Sequence, residues 1–207
     1  MYETFLSKFK VDEMHDEAMP SPFDYGFGAS GFRAFFESYS GSSFNNGLYR
    51  IHLANQIDHW NHILAEAFPE FAKRLCCFGY DWLGRQFAVD NGRVENSEPL
   101  VLMLEPGTGE VLEIPVNFVT FHDDELVSYT NEVLAYDFYR EWLSSGNEAP
   151  NIQQCVGYKK PLFLGGADEI NNLELMDLEV YWGLSSQLIS KVRGLPPGTP
   201  IDNISIS

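Results

Sequence analysis

Four short segments rich in β-forming residues, 75–80, 83–90, 100–105 and 110–115, follow one another with little but turn chemistry between them. Asp90-Asn91-Gly92 and Pro106-Gly107-Thr108-Gly109 supply that chemistry, so the chain reads here as an antiparallel meander. Pro99 and Pro115 fall at strand ends, where a missing donor interrupts no central ladder. Residues 47–52 read as one more strand. Between it and the meander, Leu53, Ile57, Trp60, Leu64 and Phe68 share one side of a 3.6-residue period, a core-packed helix that Pro69 stops.

The flanks are more helical. Tyr2, Phe5, Leu6 and Phe9 recur at helical spacing, Pro20 and Pro22 enforce an extended stretch, and residues 32–39 read as a short helix followed by Gly-Ser turn residues. His122-Asp123-Asp124-Glu125 is expected to open a long helix reaching about Ser144, with an Asp as N-cap and acids in its first turn, packed on several sides. Residues 145–150 read as a linker, 161–166 as an apolar strand with a tight turn, and 176–193 as a last helix stopped by Gly194 and Pro196-Pro197. The predicted class is α+β: an antiparallel sheet of about five to six strands packed by helices, with a C-terminal helical subdomain. The expected divisions are 1–145, 152–195 and a tail over 196–207.

At 207 residues one compact body with a lobe is the natural size class. A hydrophobic content of 44% with 14% aromatics supports a packed core despite a net charge of −17. The N-terminus lacks the basic start and apolar run of a signal peptide, and no apolar stretch approaches the roughly 18 residues that span a bilayer, so a cytoplasmic protein is expected. Three cysteines, two of them adjacent, make a poor disulfide framework and read as buried thiols.

Charge is the sharpest functional signal. From Arg93 to Arg140 the chain runs 46 residues with ten carboxylates and no Lys or Arg, and a second base-free window lies between Lys160 and Lys191. Residues 1–100 carry a net −6 and residues 101–207 a net −11. An acidic folded surface repels nucleic acid and anionic lipid and attracts basic proteins.

Chemistry is harder to find. His59, His62 and Glu66 have metal-compatible helical spacing, yet the histidines lie off the apolar stripe and read as surface residues. His122 beside Asp123 suits a helix entrance better than an acid–base pair, and Cys155 has no local base to activate it. The Gly107-Thr108-Gly109 and Gly165-Gly166 runs lack the rest of a phosphate or dinucleotide loop. Glu105, Glu110 and Glu113 flank one hairpin as solvated strand-edge groups, and no calcium loop is present. No metal, cofactor or catalytic residue is implied.

Three stretches together carry a family likeness: Phe44-Asn45-Asn46-Gly47-Leu48-Tyr49-Arg50; Phe78-Gly79-Tyr80-Asp81-Trp82-Leu83-Gly84-Arg85; and Tyr158-Lys159-Lys160-Pro161-Leu162-Phe163-Leu164-Gly165-Gly166 with Asn172-Leu173 and Tyr181-Trp182 downstream. With the hairpin at residues 102–110, they resemble immunity proteins of bacterial type VI secretion. That group has a GAD-like N-terminal portion and a characteristic C-terminal domain, is paired with secreted DNase effectors, and is similar in turn to the wider SUKH-type superfamily. The resemblance implies a noncatalytic binder of a cognate protein toxin.

A nuclease must show basic residues to phosphate, so an acidic inhibitor can occupy the same groove. Local acidity, not the family, selects the expected contacts: Glu105, Glu110, Asp123, Asp124, Glu125, Asp168, Glu169 and Glu174. Two other readings stay open. One is an intracellular scaffold or regulatory domain of the same fold; the other is a small hydrolase with a pocket near His52, His122 or Cys155.

Overall fold

The structure, a computed structural model, describes residues 1–15 and 17–196. Seven strands form one antiparallel sheet in sequence order: β1 (Val11–Met14), β2 (Ser42–Phe44), β3 (Tyr49–Ile51), β4 (Leu75–Asp81), β5 (Gln86–Glu95), β6 (Glu98–Glu105) and β7 (Glu110–Asn117). The meander is therefore longer than the expected five to six strands. Two of the added strands are cryptic for a reason: β1 is exposed and acidic along its length, as suits a sheet edge, and β2 is written in serines that resemble a turn. A separate two-stranded ribbon pairs β8 (Gln154–Tyr158) with β9 (Leu173–Asp177).

Helices cover both faces of the sheet. On one side lie α1 (Glu3–Lys8), α2 (Phe32–Tyr39) and a broken helical run after β7; on the other, α3 (Ile57–Ala67) packs against α8 (Leu178–Val192). The two-residue period of the strands sorts the core. Cys76, Phe78, Phe87, Val89, Val101 and Met103 face an aromatic-rich layer with Phe5, Phe35 and Phe118. Cys77, Tyr80, Ala88, Leu102 and Leu104 face Trp60, Leu64 and Trp182. Central strands buried on both faces explain why 75–80 and 100–105 read as nearly continuous apolar runs.

Three local expectations give way. Asp90-Asn91-Gly92 is not a turn but part of β5, where the pairing with β6 slips between Asp90 and Val94. The buried Asp90 carboxylate takes Arg74 Nε and Nη2 at 2.6 Å each and the Gly92 amide at 2.9 Å, which fixes the bulge. The turn comes later, at Asn96 and Ser97, whose φ values of 51° and 67° are those a two-residue hairpin needs. Residues 161–166 hold a short 3₁₀ turn, Leu162–Leu164, in place of a strand. The tail expected from residue 196 lies, from residue 197 on, outside the described residues.

The third correction concerns the long helix. The run starts earlier, at α4 (Phe118–Thr120), whose N-cap is Asn117: its side chain accepts the Thr120 amide at 2.9 Å. A π turn over Phe121–Glu125 follows, then α5 (Leu126–Ser128), α6 (Thr130–Leu134) and α7 (Tyr136–Ser144). Tyr129 leaves helical geometry and Ala135 adopts a left-handed φ of 49°, so the run bends twice. Those bends leave Tyr129 and Tyr136 52% and 39% exposed, where a continuous packed helix had been expected.

The family-like motifs are structural clamps. In the Asn45-Asn46-Gly47 turn all three φ values are positive, and a Cβ on Gly47 would fall inside contact distance of the Pro150 carbonyl oxygen. Gly47→Ala is expected to cost about 2–3 kcal/mol, read as a lowered midpoint in urea with an unchanged m-value. The Asp81–Arg85 stretch joins the layers. Trp82 Nε1 donates to Leu134 O at 2.8 Å, Arg85 Nη2 to Val133 O at 2.8 Å, and Trp182 Nε1 to Gly84 O at 2.7 Å. Asp81 anchors this stretch by accepting the Leu83 and Arg85 amides at 3.0 Å and Arg85 Nε at 2.6 Å. All of these groups are buried.

Candidate functional site

The groups that chemistry would have used are built into the core. His122 is fully buried among Phe5, Phe35, Phe78 and Phe118, its Nδ1 2.8 Å from Phe118 O and its Nε2 3.0 Å from Tyr49 Oη. Burial pushes its pKa down to about 3, with the Phe118 carbonyl pulling the other way. The ring is a neutral hydrogen-bonding spacer, not a helix-entrance residue. Cys76, Cys77 and Cys155 are free and buried, and burial raises all three thiols, Cys76 to about 12. His59 and His62 are exposed and lie 3.2 Å from Glu179 and 3.4 Å from Glu66. Among the described residues no group of three His, Cys, Asp or Glu side chains is placed to hold a metal ion.

The predicted contact carboxylates fall into two groups. Glu105 and Glu110 face each other across the β6–β7 turn, and Leu162 donates to Gly107 O in that turn. Tyr158 lies under the turn, so close that a Cβ on Gly107 would strike its ring, and its hydroxyl donates to Asp168 at 2.6 Å. This brings Glu105 and Asp168 to one tyrosine, with Glu110 across the turn from Glu105. Burial pushes the half-buried Glu105 carboxyl above the usual range, opposed by Arg85. Glu169 and Glu174 are exposed nearby in sequence, Glu174 on β9 opposite Gly157.

The second group belongs to the broken helical run. Asp123 is half-buried and accepts the Tyr2 amide at 2.9 Å and the Phe5 amide at 3.1 Å, so it caps α1 from 121 and 118 residues away instead of capping its own helix. Asp124 is exposed and accepts the Ser128 hydroxyl at 2.9 Å. Glu125 is half-buried, with its pKa raised by burial and by Asp124. Replacing Asp123 by alanine should cost about 1–2 kcal/mol, with hydrogen exchange faster in α1 than in α8 as the check.

Two features escaped the sequence. Exposed Tyr129, Glu132, Tyr136 and Asp137 form an aromatic and acidic stretch along α6, α7 and the break before α6, visible only once the helix breaks. A cavity of about 330 Å³ is lined by His52, Trp60 and Tyr80, with carboxylates from distant parts of the chain at its walls.

The architecture is thus a long antiparallel sheet between two helical layers, with its excess acid on the later half. The crystal structure of Atu4351 from Agrobacterium tumefaciens has the same fold, with a TM-score of 0.63 over 90% of this chain and 89% of that one at 15% identity. Residues 117–189 match the family model described as T6SS immunity protein Tdi1, C-terminal. The match begins at the Asn117 cap and ends within α8, so the type VI secretion resemblance holds for the helical run, the β8–β9 ribbon and the last helix. No curated protein matches the chain. Among the described residues no helix is long and apolar enough to cross a membrane.

Proposed function

We propose that this chain is an immunity protein that binds and neutralises a cognate type VI secreted toxin in the cytoplasm, without chemistry of its own. The observation that carries the reading is the coincidence of family and charge: residues 117–189 hold twelve carboxylates against three Lys or Arg. Asp124, Glu132, Asp137, Asp168, Glu169 and Glu174 are exposed and enter no ion pair among the described residues, so their field reaches solvent. Such a face meets a basic protein surface, and a DNase is the toxin class whose own function demands one. Tyr129 and Tyr136 would serve as anchors within the acid field.

A hydrolase is less well supported. His52 is the buried ring at the cavity of about 330 Å³, and burial drives it too low to act as a base near neutral pH. Behind it, Cys77 Sγ is hydrogen-bonded to the same Gln86 oxygen as His52, and burial raises that thiol.

Co-expression with the neighbouring candidate toxin tests the reading: growth should be rescued by this chain, and absence of rescue by every neighbour would remove it. The electrostatic mechanism is tested by titrating the complex across a salt series. Affinity should fall steadily with ionic strength, and charge reversal at Asp124 and Glu132 should slow association with little change in stability. Affinity indifferent to salt would leave immunity standing and discard phosphate mimicry.

A further inference from the structure

Arginine is scarce on this chain, and nearly every one is committed. Of the seven, Arg33, Arg74, Arg85, Arg93 and Arg193 each lie against a carboxylate, and Arg50 is buried with its Nη atoms on carbonyl oxygens. Arg140 differs. It is exposed on α7, enters no ion pair among the described residues, and has its guanidinium over the Tyr136 ring at 6.0 Å from the centroid.

Arg140 lines a cavity of about 310 Å³ between the end of α1, the chain just before β3, and α7. The walls are apolar, made by Leu48, Leu143 and the rings of Tyr136 and Tyr139. The other charged group is a second cation, Lys8, and no carboxylate lines the cavity, although the exposed Glu132 and Asp137 belong to the same helical run. The Lys8 ammonium donates to Val127 O and, at 2.7 Å, to Thr130 Oγ1. Both acceptors are neutral, so they hold the ammonium in place without cancelling its charge, and one N–H is left over. Two uncompensated cations beside one apolar cavity run against the character of a protein with a net charge of −17.

The cations and the walls ask for different things of one ligand. A Glu or Asp side chain would satisfy the charges and leave most of the apolar wall uncovered; an apolar residue inside a chain would do the reverse. The last residue of a polypeptide carries an apolar side chain and a free carboxylate on the same carbon. We infer that this cavity receives the C-terminal residue of a protein partner, its side chain against Tyr139 and Leu143 and its main-chain carboxylate on Arg140 and Lys8. A guanidinium can meet both carboxylate oxygens, and an ammonium already held in place loses little freedom on binding. About 310 Å³ is at the low end of the range for ligand pockets, as suits one residue. Thr130, Tyr136, Tyr139, Arg140 and Leu143 all fall inside the segment that matches the immunity family. That the partner is a toxin rests on the immunity reading; the chemistry of the cavity does not.

The test uses the full chain and two free-acid peptides, N-acetyl-Gly-Gly-Ala-Phe and N-acetyl-Gly-Gly-Ala-Leu, followed by calorimetry and by the Arg140 Nε–H resonance in NMR. Binding of at least one should saturate and shift that resonance. Its C-terminal amide should bind at least about tenfold more weakly, and N-acetyl-Gly-Glu-Gly amide, which offers only a side-chain carboxylate, should not compete. Arg140→Gln should weaken the free acid about tenfold with the urea midpoint unchanged, because the native guanidinium has no carboxylate partner to lose. No saturable shift with either peptide, or equal binding of acid and amide, overturns the site; competition by the glutamate peptide overturns a chain terminus as its occupant. In co-expression, Arg140→Glu should reduce protection. Full protection by that variant overturns the toxin as the partner while immunity stands; if the native chain itself fails to protect, immunity falls and the peptides still decide the cavity.

Discussion

Asp81→Ala is expected to lower stability by about 3–5 kcal/mol, enough to unfold a domain of ordinary stability. The substitution removes more than a charge. It strips Arg85 of its 2.6 Å partner in a site that water does not reach, and it leaves the Leu83 and Arg85 amides unpaired. Arg85 also donates to Val133 O, and the flanking Trp82 to Leu134 O, so the broken helical run loses its hold on the sheet. Urea unfolding followed by tryptophan fluorescence reads this directly, since Trp82 and Trp182 both bond the same stretch. Replacing the pair together, Asp81→Ala with Arg85→Met, should recover part of the loss, because an apolar side chain leaves no stranded charge. If Asp81→Ala alone costs less than about 1 kcal/mol, the clamp is not what joins the layers.

Acidification should have a comparable effect through two histidines. Burial drives both His52 and His122 down to about 3, whereas an unfolded histidine titrates near 6.5. Between those values the unfolded chain binds more protons than the folded one, so stability rises with pH through the window, is complete above about 6.5 and is lost on the acid side. From pH 7 to pH 5 each ring contributes a loss of about 2 kcal/mol. Glu105 and Glu125 act in the opposite sense, since burial raises their carboxyls and the folded form takes up those protons before the unfolded chain does as pH falls. Their window opens lower, around the ordinary carboxylate range, so the histidines dominate between pH 7 and 5. Urea midpoints measured across that interval should fall steadily. A flat profile would mean that water reaches one or both rings.

The residues explain why some of this was legible in advance. The strands at 75–80, 100–105 and 110–115 announce themselves because side chains alternate between two packed layers or form one apolar run. α3 has clear periodicity, and α3 and α8 both have clear stops. What stayed hidden depends on partners far away in sequence. Asp90-Asn91-Gly92 has the local chemistry of a turn, and Arg74 turns it into a bulge. His122-Asp123 looks like a helix entrance until Tyr2 and Phe5 are seen to claim the carboxylate. Ala135 carries no residue signal for its left-handed conformation. The acidity of the second half was visible by counting, but its division between the Tyr158 cluster and the helical run was not. The cavity at His52 draws residues from positions 15 to 179, and no local pattern foretells it.

The link between Asp123 and the first helix also sets an order of events during synthesis. α1 is synthesised before the other elements of the described fold, six residues long and unable to hold its shape alone. The carboxylate that secures its start is made more than a hundred residues later, and the sheet that receives Phe5 is only then complete. The nascent α1 must therefore wait undocked until Asp123 has been made, so the oldest helix of the fold is among the last to be fixed in place.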